Sequence, residues 1–310
     1  MSQEQPLVRD FRFNVSTNLD HHDVDILPGR ASFVDPHTIM VEHMRRPPIF
    51  LSEDVILIAC GSRPYHPPQF DLDGAGIYDS NTFMHARSMP SRLAVVGGGP
   101  IGCEYASIMA SLGCSVTLID ASDALLPFLD SEVSTLLQQS LIESGIDLLL
   151  AVRVDSVSAG PPFALALDNG RELKADAIVV TAGRIGNTDS LALENAGLAA
   201  DARGLLSVNE VFQTAQPHIR AAGDVIGFPA LASSSMEQAR LAMVHAFDLK
   251  YKQQTSSLLP YGIHTIPECS VVGRPRTRRN ARAFPTWWDG RVTGRTPAAA
   301  SSVTMPAFSS

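Results

Sequence analysis

The stretch VVGGGPIGCEYA at 95–106, followed by SVTLID at 115–120, decides the fold. Leu93 to Val96 are apolar and read as a buried strand. Gly97, Gly99 and Gly102 follow, and then Ile101, Tyr105, Ile108, Met109 and Leu112 recur at the spacing of one helix face. A second apolar strand, Val116 to Ile119, ends on Asp120. Strand, glycine turn, helix and strand-terminal carboxylate together make a βαβ dinucleotide-binding pattern. Gly97 permits the tight turn, Gly99 lets a pyrophosphate reach the backbone, and Gly102 lets the helix pack closely on the strand. The helix N-terminus offers unpaired N–H groups and the positive end of its dipole to phosphates. Asp120 is placed to accept hydrogen bonds from the diol of an adenine ribose.

Outward from this unit the coarse pattern continues in the same style. Residues 29–43 read as two short strands joined at Asp35-Pro36, and Val55 to Ala59 as a strand broken by CGSRPYHPP. Residues 131–144 read as a helix with Val133, Leu136, Leu137, Ser140 and Leu141 on one face, and Ile146 to Leu150 as a third parallel strand. Alternation over 152–173 around Asp168-Asn169-Gly170 predicts an antiparallel meander. Buried strands follow at Ile178 to Thr181 and Ile219 to Ala222, a helix at 230–248, and one more strand within 261–273. Apart from the two short strands within 29–43, residues 1–50 are only weakly patterned.

With 310 residues, 45% hydrophobic and 18% charged, the chain can bury one or two cores. Its net charge is −8; residues 274–310 hold seven Arg against one Asp, which leaves −14 on the remainder. An acidic body argues against nucleic acid as a partner. No run of about 18 apolar residues occurs, so neither a membrane span nor a secretory leader is expected, and a cytoplasmic location is. Cys60, Cys103, Cys114 and Cys269 form no CxxC or CxxxxC. His21-His22 reads as a solvated turn and no metal site is expected. The Arg-rich tail, with Trp287 and Trp288, lacks periodicity and reads as disordered.

The order IACGSRP, GGGPIGCEYAS, TAGRIGNTDSLALENAGL, QTAQPHIRAAGDVIG and YGIHTIPECSVVG resembles the pyridine nucleotide-disulphide oxidoreductase flavoproteins over about residues 25–273. Within that family, YDSNTF, IGCEYAS, GNTDSLALENAGL and YGIHTIPE look most like the soluble, Si-specific NAD(P) transhydrogenases. The resemblance implies two Rossmann-like three-layer domains, an NAD(P) domain inserted into an FAD domain. It divides the chain into a partial first FAD segment (1–80), the NAD(P) domain (81–188), a second FAD segment (189–257), the start of a dimerisation domain (258–273) and a tail (274–310). It implies FAD and NAD(P) as cofactors and nicotinamide nucleotides as substrates, with a family homodimer. The implied activity is hydride passage from NADPH to NAD through FAD. A dihydrolipoamide dehydrogenase-like flavoprotein and a non-catalytic NAD-binding module are the alternatives.

By resemblance Asp224 holds the ribityl hydroxyls of FAD and backbone at Gly61 lies against FAD, with Cys60 where a Thr is usual. Glu104 matches an acidic residue near the nicotinamide, and Gly183 lies where the strand closes on the NAD. The family's first glycine loop does not precede Arg30, and the resemblance stops at Gly273. The expectation is a central piece of a flavoenzyme with an out-of-frame tail, weak FAD retention and negligible turnover. Asp120 opposes a 2′-phosphate and no Arg lies among Ala121, Ser122 and Asp123, so NAD(H) is expected to be favoured.

Overall fold

The computed structural model describes residues 4–72, 76–86, 88–252, 254 and 260–272. Among them, a five-stranded parallel sheet has the order Ile77–Asp79, Ala177–Val180, Arg92–Val96, Ser115–Ile119, Asp147–Leu149. From Arg92–Val96 the chain steps outward through helices Pro100–Ser111 and Ser131–Glu143, then returns to the other side of Arg92–Val96 as Ala177–Val180. Strand order reverses between those two neighbours, and that reversal opens a crevice at their carboxyl ends.

Alternation along each strand feeds two cores. Leu93, Val95, Val116, Leu118 and Val179 pack under Cys103, Ala106 and Met109 of the first helix and Leu137 and Leu141 of the second. Ala94, Ile119, Ile178 and Val180 pack under Phe163, Leu165 and Leu167. The latter belong to the meander Val154–Val157, Phe163–Leu167, Glu172–Ala175, which is antiparallel as its turn signal predicts. Both faces are covered, which is why these strands read as continuous apolar runs.

A second unit surrounds the parallel pair Ile56–Ile58 and Ile219–Ala221. Phe33, Ile56, Leu193, Ile219, Ala221 and Val225 share its core. The antiparallel strands Arg30–Asp35, Thr38–Glu42 and Ile49–Ser52 cover it. The fold is therefore the α/β arrangement of two Rossmann-like units that the sequence implied.

Several local readings are corrected. The first helix buries its small residues, Gly102, Cys103 and Ala106, with Met109, whereas Ile108 and Leu112 are exposed. Small side chains are what allow close approach to the sheet. Ser131–Glu143 buries Ser134 beside Leu137 and Leu141 and exposes Leu136; its N-cap Asp130 accepts from Glu132 N–H at 3.1 Å. The region 261–273 holds an antiparallel pair, Pro260–Ile263 and Cys269–Val272, because His264 to Glu268 turn the chain back. An 18-residue helix, Glu4–His21, occupies a stretch without a clear pattern. Phe11 and Phe13 are exposed on it, so no core-facing stripe marks it. Strand Ile77–Asp79, which the coarse reading leaves unassigned, forms an edge of the five-stranded sheet.

No described helix is long and apolar enough to cross a membrane. No group of three or more His, Cys, Asp or Glu gathers as for a metal ion among the described residues. The tail reading for 274–310 lies outside the described residues.

Candidate nucleotide sites

Gly97, Gly99, Asp120 and Gly183 line one cavity of about 660 Å³ at the carboxyl ends of the central strands. The three loop glycines are required for different reasons. Gly97 has φ +112, and a Cβ there would stand 2.5 Å from the Thr181 carbonyl oxygen. A Cβ at Gly102 would stand 1.8 Å from the carbonyl oxygen of Gly97. Protein packing therefore accounts for both. Gly99 has an ordinary φ of −71 and open space where its side chain would point. Nothing in the protein demands a glycine at 99; a phosphate drawn onto the backbone would. Gly99 also caps helix Pro100–Ser111 with no side-chain hydrogen bond, which leaves that helix end for a ligand.

Asp120 is held from two sides. Its Oδ2 accepts from Gly98 N–H, and its Oδ1 accepts from Ser122 N–H at 2.7 Å. Each oxygen retains a further lone pair for a ribose hydroxyl. Thr181, which the motif reading passed over, lines the same cavity and donates its hydroxyl to Gly97 O at 2.8 Å. Its signal in sequence is only a hydroxyl residue ending an apolar strand. Pro67, Gln69 and Phe70 line the cavity as well, and Gln69 Nε2 donates to Val154 O at 3.2 Å.

Glu104 lies outside the lining residues of this cavity. Its Oε1 accepts from His264 N–H at 2.8 Å, and Ser107 Oγ accepts from Ile266 N–H at 2.7 Å. The helix thus grips the 260–272 hairpin. Cys103, on the same helix, is fully buried; burial, with Asp120 and Glu104 nearby, pushes its thiol up to about 12.

The second predicted pair sits apart from the first. Gly61 follows strand Ile56–Ile58 with φ +68 and open space beside it. Asp224 lies in the turn Gly223–Ile226, which follows the parallel partner Ile219–Ala221. Ser62 Oγ donates to Asp224 Oδ2 at 2.8 Å and accepts from Arg184 Nε at 2.7 Å. Arg184 Nε stands 3.8 Å from the same carboxylate oxygen. A carboxylate and a side-chain-free backbone at the ends of paired parallel strands suit a polyhydroxyl chain bound in the crevice. These residues fit the ribityl half of a flavin nucleotide. Among the described residues no second Gly-x-Gly-x-x-Gly turn adjoins this sheet.

Two strand-end sites of this kind, one beside a glycine turn and one beside the partly buried Asp224 carboxylate, suit a nucleotide-dependent oxidoreductase. The chain belongs to the pyridine nucleotide-disulphide oxidoreductase family, whose model matches residues 2–246. FAD and a nicotinamide nucleotide are the cofactors of that class. The chain is 41% identical over 269 residues to the soluble pyridine nucleotide transhydrogenase of Erwinia tasmaniensis and 41% identical over 270 residues to that of Shigella flexneri. Each match covers 86% of this chain and 57% of the relative, so the chain spans a little over half of their length. Its fold is similar to the HOCl-induced flavoprotein disulfide reductase RclA from Escherichia coli, with TM-score 0.80 and 27% identity over 89% of this chain and 63% of that one. It is also similar to LpdA from Mycobacterium tuberculosis, with TM-score 0.82 and 28% identity over 88% of this chain and 61% of that one.

Proposed function

We propose that this chain carries the nucleotide-handling part of an FAD-dependent oxidoreductase that moves hydride between nicotinamide nucleotides, as its transhydrogenase relatives are named to do. The observation that carries the reading is the cavity in which Gly97, Gly99, Asp120 and Gly183 meet. Gly99 and the open helix end receive the pyrophosphate, and Asp120 accepts from the ribose diol. Asp224, oriented by Ser62, accepts from ribityl hydroxyls. When bound, the flavin supplies the hydride acceptor and donor chemistry, and the protein supplies binding and orientation. The domain division drawn from sequence belongs to the same proposal, as do a dimeric assembly and a cytoplasmic location.

A disulfide-reductase reading comes second. The four cysteines are free, and burial raises the pKa of each thiol, so none is prepared as a thiolate nucleophile. The test uses the full chain loaded with FAD under anaerobic conditions. Added NADH or NADPH bleaches the flavin absorbance, and thionicotinamide-NAD then restores it. A flavin-loaded chain that stays oxidised with both nucleotides would refute the proposal.

A further inference from the structure

We infer that Arg153 is the residue that recognises a 2′-phosphate in the nucleotide cavity, so that the chain accepts NADP(H) beside NAD(H). The inference rests on the cavity being a nicotinamide-nucleotide site. The acidic end of the second strand, with no Arg over 121–123, points by itself to NAD(H) alone. The fold brings a cation to that place from a different segment.

Two backbone hydrogen bonds lay residues 151–153 alongside 120–122. Val152 N–H donates to Asp120 O at 3.0 Å, and Ala151 N–H donates to Ser122 O at 2.8 Å. Ala151 holds φ +54, a left-handed turn for a residue with a side chain, directly after strand Asp147–Leu149 and Leu150. The chain is thereby redirected along the cavity rim. Arg153 O is fixed in turn by Asp168 N–H at 3.0 Å. The backbone of Arg153 is therefore anchored beside the strand end where the ribose 2′ position is read.

Arg153 is the only cationic residue lining the cavity among the described residues. Asp120 and Asp155 line it too, yet Arg153 forms no ion pair or side-chain hydrogen bond within the described residues and is exposed. Asp120 is already engaged by the N–H groups of Gly98 and Ser122. A free guanidinium offers the planar, bidentate geometry that a phosphate monoester takes. One site then reads both coenzymes: Asp120 accepts from the diol of NAD(H), and Arg153 donates to the 2′-phosphate of NADP(H).

The test is calorimetric titration of the full chain with ADP-ribose and 2′-phospho-ADP-ribose, which carry no reacting nicotinamide. Arg153→Ala should weaken the 2′-phosphorylated probe at least tenfold, the size of one charge-assisted hydrogen bond, and leave ADP-ribose within about twofold. Arg153→Lys should recover part of the loss. If ADP-ribose binds and Gly99→Val abolishes it, but Arg153→Ala does not move the ratio between the probes, the inference is overturned and the nucleotide site stands. If the wild-type chain binds neither probe, both fall together.

Discussion

The backbone N–H of Gly98 donates to Oδ2 of Asp120, tying the glycine turn to the carboxylate that ends the next strand. The glycine turn and the carboxylate, to which the proposed function gives different parts of a dinucleotide, are therefore one hydrogen-bonded unit. Asp120→Ala removes the acceptor for both Gly98 and Ser122 N–H. The Gly98 donor, left unpaired in a buried residue, costs about 1–3 kcal/mol, whereas the N–H of exposed Ser122 turns to water at little cost. We predict that Asp120→Ala weakens NADH binding at least tenfold and lowers stability in urea, whereas Asp120→Asn, which keeps one acceptor, loses less of both. Fluorescence titration and denaturant melts check this; an unchanged NADH affinity in Asp120→Ala would contradict it.

Two glycines of the same loop should respond in opposite ways. Gly99→Val meets open space and an ordinary backbone conformation, so the protein should fold normally and lose nucleotide affinity. Gly102→Ala drives a methyl group into the Gly97 carbonyl and should cost about 3 kcal/mol of stability. Melting temperature and NADH titration on the two variants separate ligand space from packing space. A Gly99→Val protein with normal affinity would make the whole loop structural.

Acid should strip one identifiable contribution to stability. Burial raises the pKa of Asp79, but hydrogen bonds from His66, Thr82 and Asn81 outweigh it and hold the carboxyl below its ordinary range. His66 Nε2 lies 2.9 Å from Oδ2, while Oδ1 accepts from Asn81 N–H at 2.9 Å and Thr82 N–H at 2.8 Å. A depressed carboxyl stabilises the fold above its unfolded pKa of about 3.9 and loses that contribution as pH falls through the folded value. Asp79→Asn should therefore be less stable than wild type at pH 7, with the gap closing below about pH 4. Urea midpoints at the two pH values decide it.

Thiol chemistry should be ordered by burial. With its thiol pushed up to about 12 and no exposed surface, Cys103 should resist alkylation at pH 8 until the protein is unfolded. Cys60, only partly buried, should label first. Peptide mass spectrometry after timed iodoacetamide treatment gives the order, and early labelling of Cys103 would show that the first helix opens from the sheet.

The parts of this molecule that were legible in sequence are those governed by neighbours in the chain. Gly97 announces a turn because its φ of +112 is a local demand, and Gly102 a close approach because the carbonyl it must clear, that of Gly97, is five residues away; the clash of a Gly97 Cβ with Thr181 is not local and was not legible. Asp120 is legible because a strand end is a local event. The small, buried face of helix Pro100–Ser111 was misread because Ile108 and Leu112 look more hydrophobic than Cys103 and Ala106, although the tight spacing to the sheet admits only the smaller pair. Thr181, Arg153 and the grip of Glu104 on His264 N–H were out of reach, since each depends on segments tens of residues apart meeting in space. The helix Glu4–His21 offered no apolar stripe to read.

The hold of Glu104 and Ser107 on the hairpin has a consequence at the glycine turn that opens the helix. The helix that Gly99 caps is clamped along its flank by two hydrogen bonds, at 2.8 and 2.7 Å, and its Gly102 leaves no room for a side chain against the Gly97 carbonyl. A ligand arriving at the loop finds it preorganised, so little of the binding free energy goes into ordering the helix. On the proposed function, affinity at the phosphate end is set partly by a pair of strands that lie on the helix flank, at residues 260–272, and do not line the cavity.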